Sequence, residues 1–408
     1  MGMKKIFVSS LIFIITFIFI SCEDQFVLPT EEKGPNITLA EQKIVSSSEI
    51  FGLKLFKEIN KSAREKNIFI SPLSVSMALG MTLNGANGNM YDSMKDVLEL
   101  NDLTQQEINE SYKSLIGQLV NMDPKVTFNI ANSIWYRNTM TFEQTFINTD
   151  KQYFNASISG LDFNDPVAVD IINGWVNQNT KSNINNIIDS IPSDAVMYLI
   201  NAIYFTGNWK YQFDKSLTKD DYFFTTRSNS VPCKMIEQAN YFSYLANKQF
   251  QAVELPYGDS LFSMIIFLPN EGRDINDIIN QFNENNWNEW LSNFNIQLGK
   301  VWLPKFELNY DLNLDDVLKT MGMGIAFSSN ADFTKMYAPG GLFISEAKHK
   351  TYIKVDEEGT EASAVASVEI SYGSAVFIMK INKPFIYVIR ERKTNTILFI
   401  GKMVNPVL

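Results

Sequence analysis

KVDEEGTEASAVASVEISYGSAVFIMKINKP, residues 354–384, places three carboxylates and a glycine ahead of a run of small side chains that ends at an aromatic-glycine step. From Thr360 onward the residues alternate with period two. Thr360, Ala362, Ala364, Ala366, Val368 and Ile370 form one set, and Glu361, Ser363, Val365, Ser367, Glu369 and Ser371 form the other. That alternation is the pattern of a half-buried strand. The first set begins with side chains that bring little hydrophobic drive, and Gly359, one residue earlier, permits backbone angles that other residues resist. An Ala/Ser-rich edge strand accounts for the pattern. Small residues behind a pivot also suit a segment that must slide between strands already in place.

Upstream, SEAKHKTYIKVDEEGT (345–360) holds the chain's only histidine, His349, eight residues before Glu357. NIFISPLSVSMALGMTLNGANG (67–88) begins as a short strand, turns at Ser71-Pro72 and continues as a helix with Leu73, Met77 and Met81 at helical spacing. Ser71 suits the N-cap and Pro72 the first helical position. LINAIYFTGNW (199–209) carries Asn201 and Trp209 eight residues apart, and NKPFIYVIRERKTNTILFIGKMVNP (382–406) reads as a strand pair.

These segments resemble the serpin family in sequence and in order. EEGTEASAVAS resembles its hinge, which the resemblance assigns to Glu357, Glu358, Gly359, Thr360, Glu361, Ala362, Ser363, Ala364, Val365 and Ala366. Ser71, Ser74, Asn201 and His349 correspond to the shutter beneath the opening of the central sheet, and Trp209 to the breach at its top. ANSIWYRNTMTFEQTF, VELPYGDSLFSMIIFLP, VWLPKFELNYDL and KTMGMGIAFSSNADFTKM extend the match across 51–406. Ser363 and Ser367 replace hinge alanines, and Ser182 stands in TKSNI where the family commonly has glycine. None of these is bulky or charged, and no proline interrupts residues 360–382.

The N-terminal segment has its own logic. Lys4 and Lys5 precede an apolar run from Ile6 to Ile20 that is too short to span a bilayer, so it reads as a signal peptide over 1–21. Ser21-Cys22 resembles the lipobox of bacterial lipoproteins, which implies lipidation of Cys22 and an anchor and tether over 22–39. Glu23 and Asp24 resemble a surface-export signal, so the expected location is a bacterial envelope, the outer membrane first. Residues 40–408 form one expected domain. Ile44, Ser48, Phe51, Leu55, Phe56 and Ile59 share one helical face at its start. Cys233 is then the only free thiol, so the fold rests on its core. Hydrophobic residues make up 45% of the chain, ordinary for a globular protein. Loss of Lys4 and Lys5 with the signal takes the formal charge from −10 to −12, which argues against nucleic-acid binding.

Helical windows such as Ile275, Ile278, Ile279 and Phe282 are scattered among strand-like runs such as 198–205, 262–268 and 397–401, without β-α alternation. The fold class is therefore α+β, with mixed or antiparallel sheets. The serpin resemblance adds surrounding helices and an exposed reactive-centre loop over about 357–380.

The resemblance implies a suicide inhibitor, expected as a monomer, that forms a covalent acyl complex with a target protease and needs no cofactor or metal. Family loop length places the reactive bond at Gly373-Ser374, with Tyr372 the alternative first residue. No Lys or Arg lies between Thr360 and Met379. Elastase-like or subtilisin-like targets are expected, or chymotrypsin-like ones if Tyr372 is used. A hydrolase would have to use His349, yet the sequence holds no GxSxG elbow, and no HExxH or CxxC set supports zinc. A non-inhibitory binding or chaperone-like serpin is the closer rival, and small hinge residues weigh against it.

Overall fold

The computed structural model describes residues 37–359 and 377–407. Its strands are β1 (Ile68–Ile70), β2 (Val126–Arg137), β3 (Ser157–Leu161), β4 (Met197–Gly207), β5 (Lys219–Phe224), β6 (Ser230–Ala246) and β7 (Phe250–Tyr257), followed by β8 (Phe262–Pro269), β9 (Asn295–Pro304), β10 (Phe306–Asn313), β11 (Glu346–Val355), β12 (Phe377–Lys380), β13 (Phe385–Glu391) and β14 (Ile397–Met403). The longer helices are α1 (Leu39–Ser62), α2 (Pro72–Leu83), α3 (Gly88–Val97), α4 (Gln105–Val120), α5 (Gln144–Phe154), α6 (Val167–Asn179), α7 (Ile275–Gln281) and α8 (Glu284–Ser292).

Among the described residues, one sheet has five strands in the order β10-β11-β4-β2-β3. The other runs β1-β14-β13-β8-β7-β6-β9-β12, with β5 paired to β6. Both are mixed: β11–β4, β2–β3 and β12–β9 are parallel, and the remaining pairs are antiparallel. β8, β13 and β14 are buried at every residue, which explains their near-continuous apolar sequence.

α1 starts at Leu39, inside the tether drawn from sequence, because Thr38 and Glu41 form a capping box. Its face of Ile44, Ser48, Phe51, Leu55, Phe56 and Ile59 is buried as its period demands. α2 departs from a one-faced helix. All twelve of its residues are buried, so Leu73, Met77 and Met81 mark no special side, and the helix is enclosed by the fold. Ser182 adopts φ +65°, the left-handed region that a glycine would occupy without strain.

Candidate functional site

The site lies where β4 and β11 meet at the centre of the five-stranded sheet. These strands run parallel and pair over residues 198–202 and 346–350. Both continue further, β4 to Gly207 and β11 to Val355, but residues 203–207 and 351–355 form no ladder with one another. On their outer sides both stay fully paired, β4 with β2 up to Gly207 and β11 with β10 up to Val355. The upper half of the sheet thus has two facing inner edges. A strand that turned straight back from the end of β11 into this gap would run antiparallel to both neighbours.

The chain that leaves β11 already turns back over that opening. Trp209 holds the turn: its backbone N–H donates to Glu358 O at 3.1 Å and its indole Nε1–H to Asp356 O at 2.9 Å. Phe213 N–H donates to Glu357 O at 2.9 Å. The indole is buried and stacks on Tyr257 with centroids 4.3 Å apart, so its position is set by packing. Gly359, at φ +84°, sits against the end of β4. A Cβ there would fall 2.5 Å from Trp209 N and closer still to Gly207 O. Only glycine fits both the angle and the space.

The acidic residues of the turn are paired. Glu357 accepts from Thr218 Oγ1 at 2.7 Å and from Lys305 Nζ at 2.6 Å. Burial pulls its pKa up, but these bonds outweigh that and leave it below the ordinary carboxylate value. Glu358 pairs with Lys215, and Asp356 with Lys354 at 3.1 Å.

Below the opening, the zipped segment puts His349 directly beside Asn201. Both are buried, as are Ser71 and Ser74 at the start of α2. The four groups are joined through the first turn of that helix. Ser71 N–H donates to His349 Nε2 at 3.0 Å, Ser74 N–H donates to Ser71 Oγ at 3.4 Å, and Ser74 Oγ donates to Asn201 Oδ1. His349 therefore meets a backbone amide rather than the serine hydroxyls or Asn201. Asn201 Nδ2 donates in turn to Asn132 Oδ1 at 2.7 Å on β2, where the two asparagines are register partners. Burial drives the His349 pKa down to about 3, so the ring is neutral, with its proton on Nδ1. Nδ1 has no hydrogen-bond partner among the described residues.

Sequence reading missed Asn132, Lys305, Lys215 and Thr218. Asn132 lies in ANSIWYR, and an amide in an otherwise buried strand was its only signal. The two lysines and Thr218 lie far along the chain from the residues they meet, and nothing local distinguishes them. Cys22, Thr360, Glu361, Ala362, Ser363, Ala364, Val365, Ala366, Tyr372, Gly373 and Ser374 lie outside the described residues.

A family model described as Serpin (serine protease inhibitor) matches residues 46–406. The chain is a serpin. Human Serpin B3 is 32% identical over 382 residues, covering 87% of this chain and 97% of its own length. Leukocyte elastase inhibitor from Sus scrofa is 32% identical over 384 residues, covering 90% and 100%. Among solved structures, human thyroxine-binding globulin superposes with TM-score 0.85 at 28% identity, covering 90% of this chain and 100% of that one. The thermophilic serpin tengpin in its native state gives TM-score 0.82 at 32% identity, covering 91% and 96%. The serpin fold read from the sequence is the one observed, and the family holds inhibitory members as well as a thyroxine binder.

Proposed function

We propose that this serpin is an irreversible inhibitor of serine endopeptidases, with cysteine endopeptidases as a second target class, and that it traps them by inserting its cleaved loop between β4 and β11. One observation carries the reading: the two strands are unpaired above residues 202 and 350, and Gly359 stands over that opening. The protease supplies the nucleophile, its serine oxygen or cysteine sulfur, which attacks the bait carbonyl. The peptide bond breaks, the new amino terminus leaves, and an ester or thioester joins loop to protease. This chain contributes no catalytic group. It contributes a strand whose alternating small residues can enter a sheet, and an antiparallel path back beside β11. About ten new ladder bonds at roughly 1 kcal/mol each approach ~10 kcal/mol. A protease domain is itself stable by only ~5–15 kcal/mol, so a strand drawn in with the enzyme attached can distort its active site.

The non-inhibitory rival is a binding serpin, and thyroxine-binding globulin illustrates that class. The small, proline-free hinge favours insertion. Incubation with pancreatic elastase, subtilisin, chymotrypsin and trypsin separates the two readings. A covalent complex surviving SDS with one of the first three, and a released C-terminal peptide starting at Ser374, are expected. A peptide starting at Gly373 would move the reactive bond to Tyr372. Efficient complex formation with trypsin would overturn the specificity assignment, because no Lys or Arg lies between Thr360 and Met379.

The same proposal includes a bacterial lipoprotein, monomeric and held on the envelope by lipid at Cys22, with no other membrane contact and no nucleic-acid partner. Cys22→Ala is expected to release the protein from the membrane fraction. Unchanged fractionation, with no lipid on the wild-type protein by mass spectrometry, would contradict the anchor.

A further inference from the structure

After residues 360–376, β12 pairs in parallel with β9 at the edge of the nine-stranded sheet, and Phe377 packs into that sheet. Phe377 stacks on Tyr244 at 3.8 Å and meets Phe242 edge-on at 6.0 Å. Its ring fills the space that a Cβ at Gly299 would take. Ile378 is thereby turned to the opposite face and is 65% exposed. Register aligns Ile378 with Lys300 and Ala239, Tyr241 with Leu298, and Ser243 with Ile296, so all of these share that face across β12, β9 and β6. Tyr241 is 58% exposed and Ile296 is 66% exposed.

The charges within this face are already satisfied by one another. Lys300 pairs with Glu237 and stands 4.7 Å over the Trp302 ring, and Trp302 Nε1–H donates to Glu237 at 2.8 Å. What remains open is apolar. Adjacent strands are about 4.8 Å apart and four residues of strand span about 13 Å, so the three exposed side chains lie on one face within roughly 15 Å of each other. Folding gains nothing from holding them in water.

We propose that the face carrying Tyr241, Ile296 and Ile378 is a second docking surface for the protease that attacks the loop, taking an apolar part of that enzyme's surface beside its active-site cleft. This rests on the bait reading above, and chain length selects the occupant. Gly373 and Ile378 are five residues apart, so at most about 18 Å of chain separates them. A protease domain of roughly 230 residues has a radius of gyration of about 17 Å and a width of about 40 Å. An enzyme gripping the bond at Gly373 therefore overhangs the end of β12 and the face beside it. Apolar contacts that exclude water at such a place raise the rate of productive encounter and slow its reversal.

The test is the triple variant Tyr241→Ser, Ile296→Lys, Ile378→Glu in the full chain, assayed with pancreatic elastase, subtilisin and chymotrypsin. All three positions are exposed, so unchanged melting is the check on folding. The second-order rate of attack on the loop, scored as complex plus cleaved chain, is expected to fall about tenfold or more for at least one enzyme, with the ratio of complex to cleaved product unchanged. A wild-type rate in the variant for every enzyme would overturn the docking surface and leave trapping intact. Cleavage without an SDS-stable complex in the wild type would overturn trapping, while a slower attack on the variant would still support the surface. No attack by any of the enzymes would overturn both. A concentration-dependent dimer in sedimentation that the variant abolishes would assign the face to a second copy of this chain and overturn the protease as occupant.

Discussion

Thr360→Arg is expected to turn the inhibitor into a substrate: the protease still cuts the loop, but the SDS-stable complex falls to a small fraction of its wild-type yield. Thr360 follows the glycine that stands at the end of β4, so under the proposed insertion it would be the first residue to enter between the strands. It belongs to the small-residue set, the one that the proposed insertion would turn toward the core. Placing a guanidinium there costs several kcal/mol unless it finds a partner. The outcome is a race between insertion and hydrolysis of the acyl bond. A barrier raised by about 3 kcal/mol slows insertion more than a hundredfold, and hydrolysis then wins. Ser363→Arg lies on the other set and is expected to keep most of the complex. Equal yields from the two variants, read on a denaturing gel, would mean that the insertion register is wrong.

Replacing His349 is expected to have the largest effect on the uncleaved protein. His349→Ala leaves the Ser71 N–H without its acceptor in a fully buried site and opens a cavity beside Asn201. An orphaned buried donor costs about 1–3 kcal/mol, and the lost packing adds to it. The pairs at residues 346–350 and 198–202 are those that hold β11 to β4, so the cost falls on the part of the sheet that would open in the proposed insertion. Lower melting and more polymer on warming should follow, while wild-type melting with no added polymer would contradict the role.

The same histidine gives a pH signature. Its folded pKa of about 3 lies below the ordinary 6.5, so the unfolded chain binds the extra proton first. Stability from this group is complete above pH 6.5 and falls by roughly 1.4 kcal/mol per unit as pH drops towards 3. Glu49 works in the opposite sense, because burial and Glu284 raise its pKa from 4.5 to about 8. Its contribution is complete below 4.5 and is lost as pH rises through 8. The signature is therefore the difference between wild type and His349→Gln across pH 4 to 7. A difference that does not change with pH would contradict a buried neutral imidazole.

Much of this was legible because local chemistry and global role coincide. Ser71-Pro72 is a helix start on capping grounds alone, and it is the turn that presents its amide to His349. Gly359 was marked as a pivot, and its positive φ and crowded Cβ position agree. The buried face of α1 followed from hydrophobic period, and the α+β class with mixed or antiparallel sheets followed from the lack of β-α alternation. What stayed hidden were partners fixed only by tertiary contact. Lys305 reaches Glu357 across 52 positions of sequence, and Asn132 meets Asn201 across 69, so no local pattern could disclose either. The donor to His349 is the Ser71 backbone amide at the helix start, an atom that residue identity alone does not specify.

The central claim is that the cleaved loop becomes a strand between β4 and β11, and hydrogen exchange tests it most directly. Amides at 203–207 and 351–355 that face the opening have no ladder partner across it in the uncleaved chain. After a single cut at Gly373-Ser374 they should become strongly protected, together with alternate amides from Thr360 onward. Exchange at 203–207 and 351–355 that is the same before and after cleavage would contradict insertion, whatever complexes are seen on a gel.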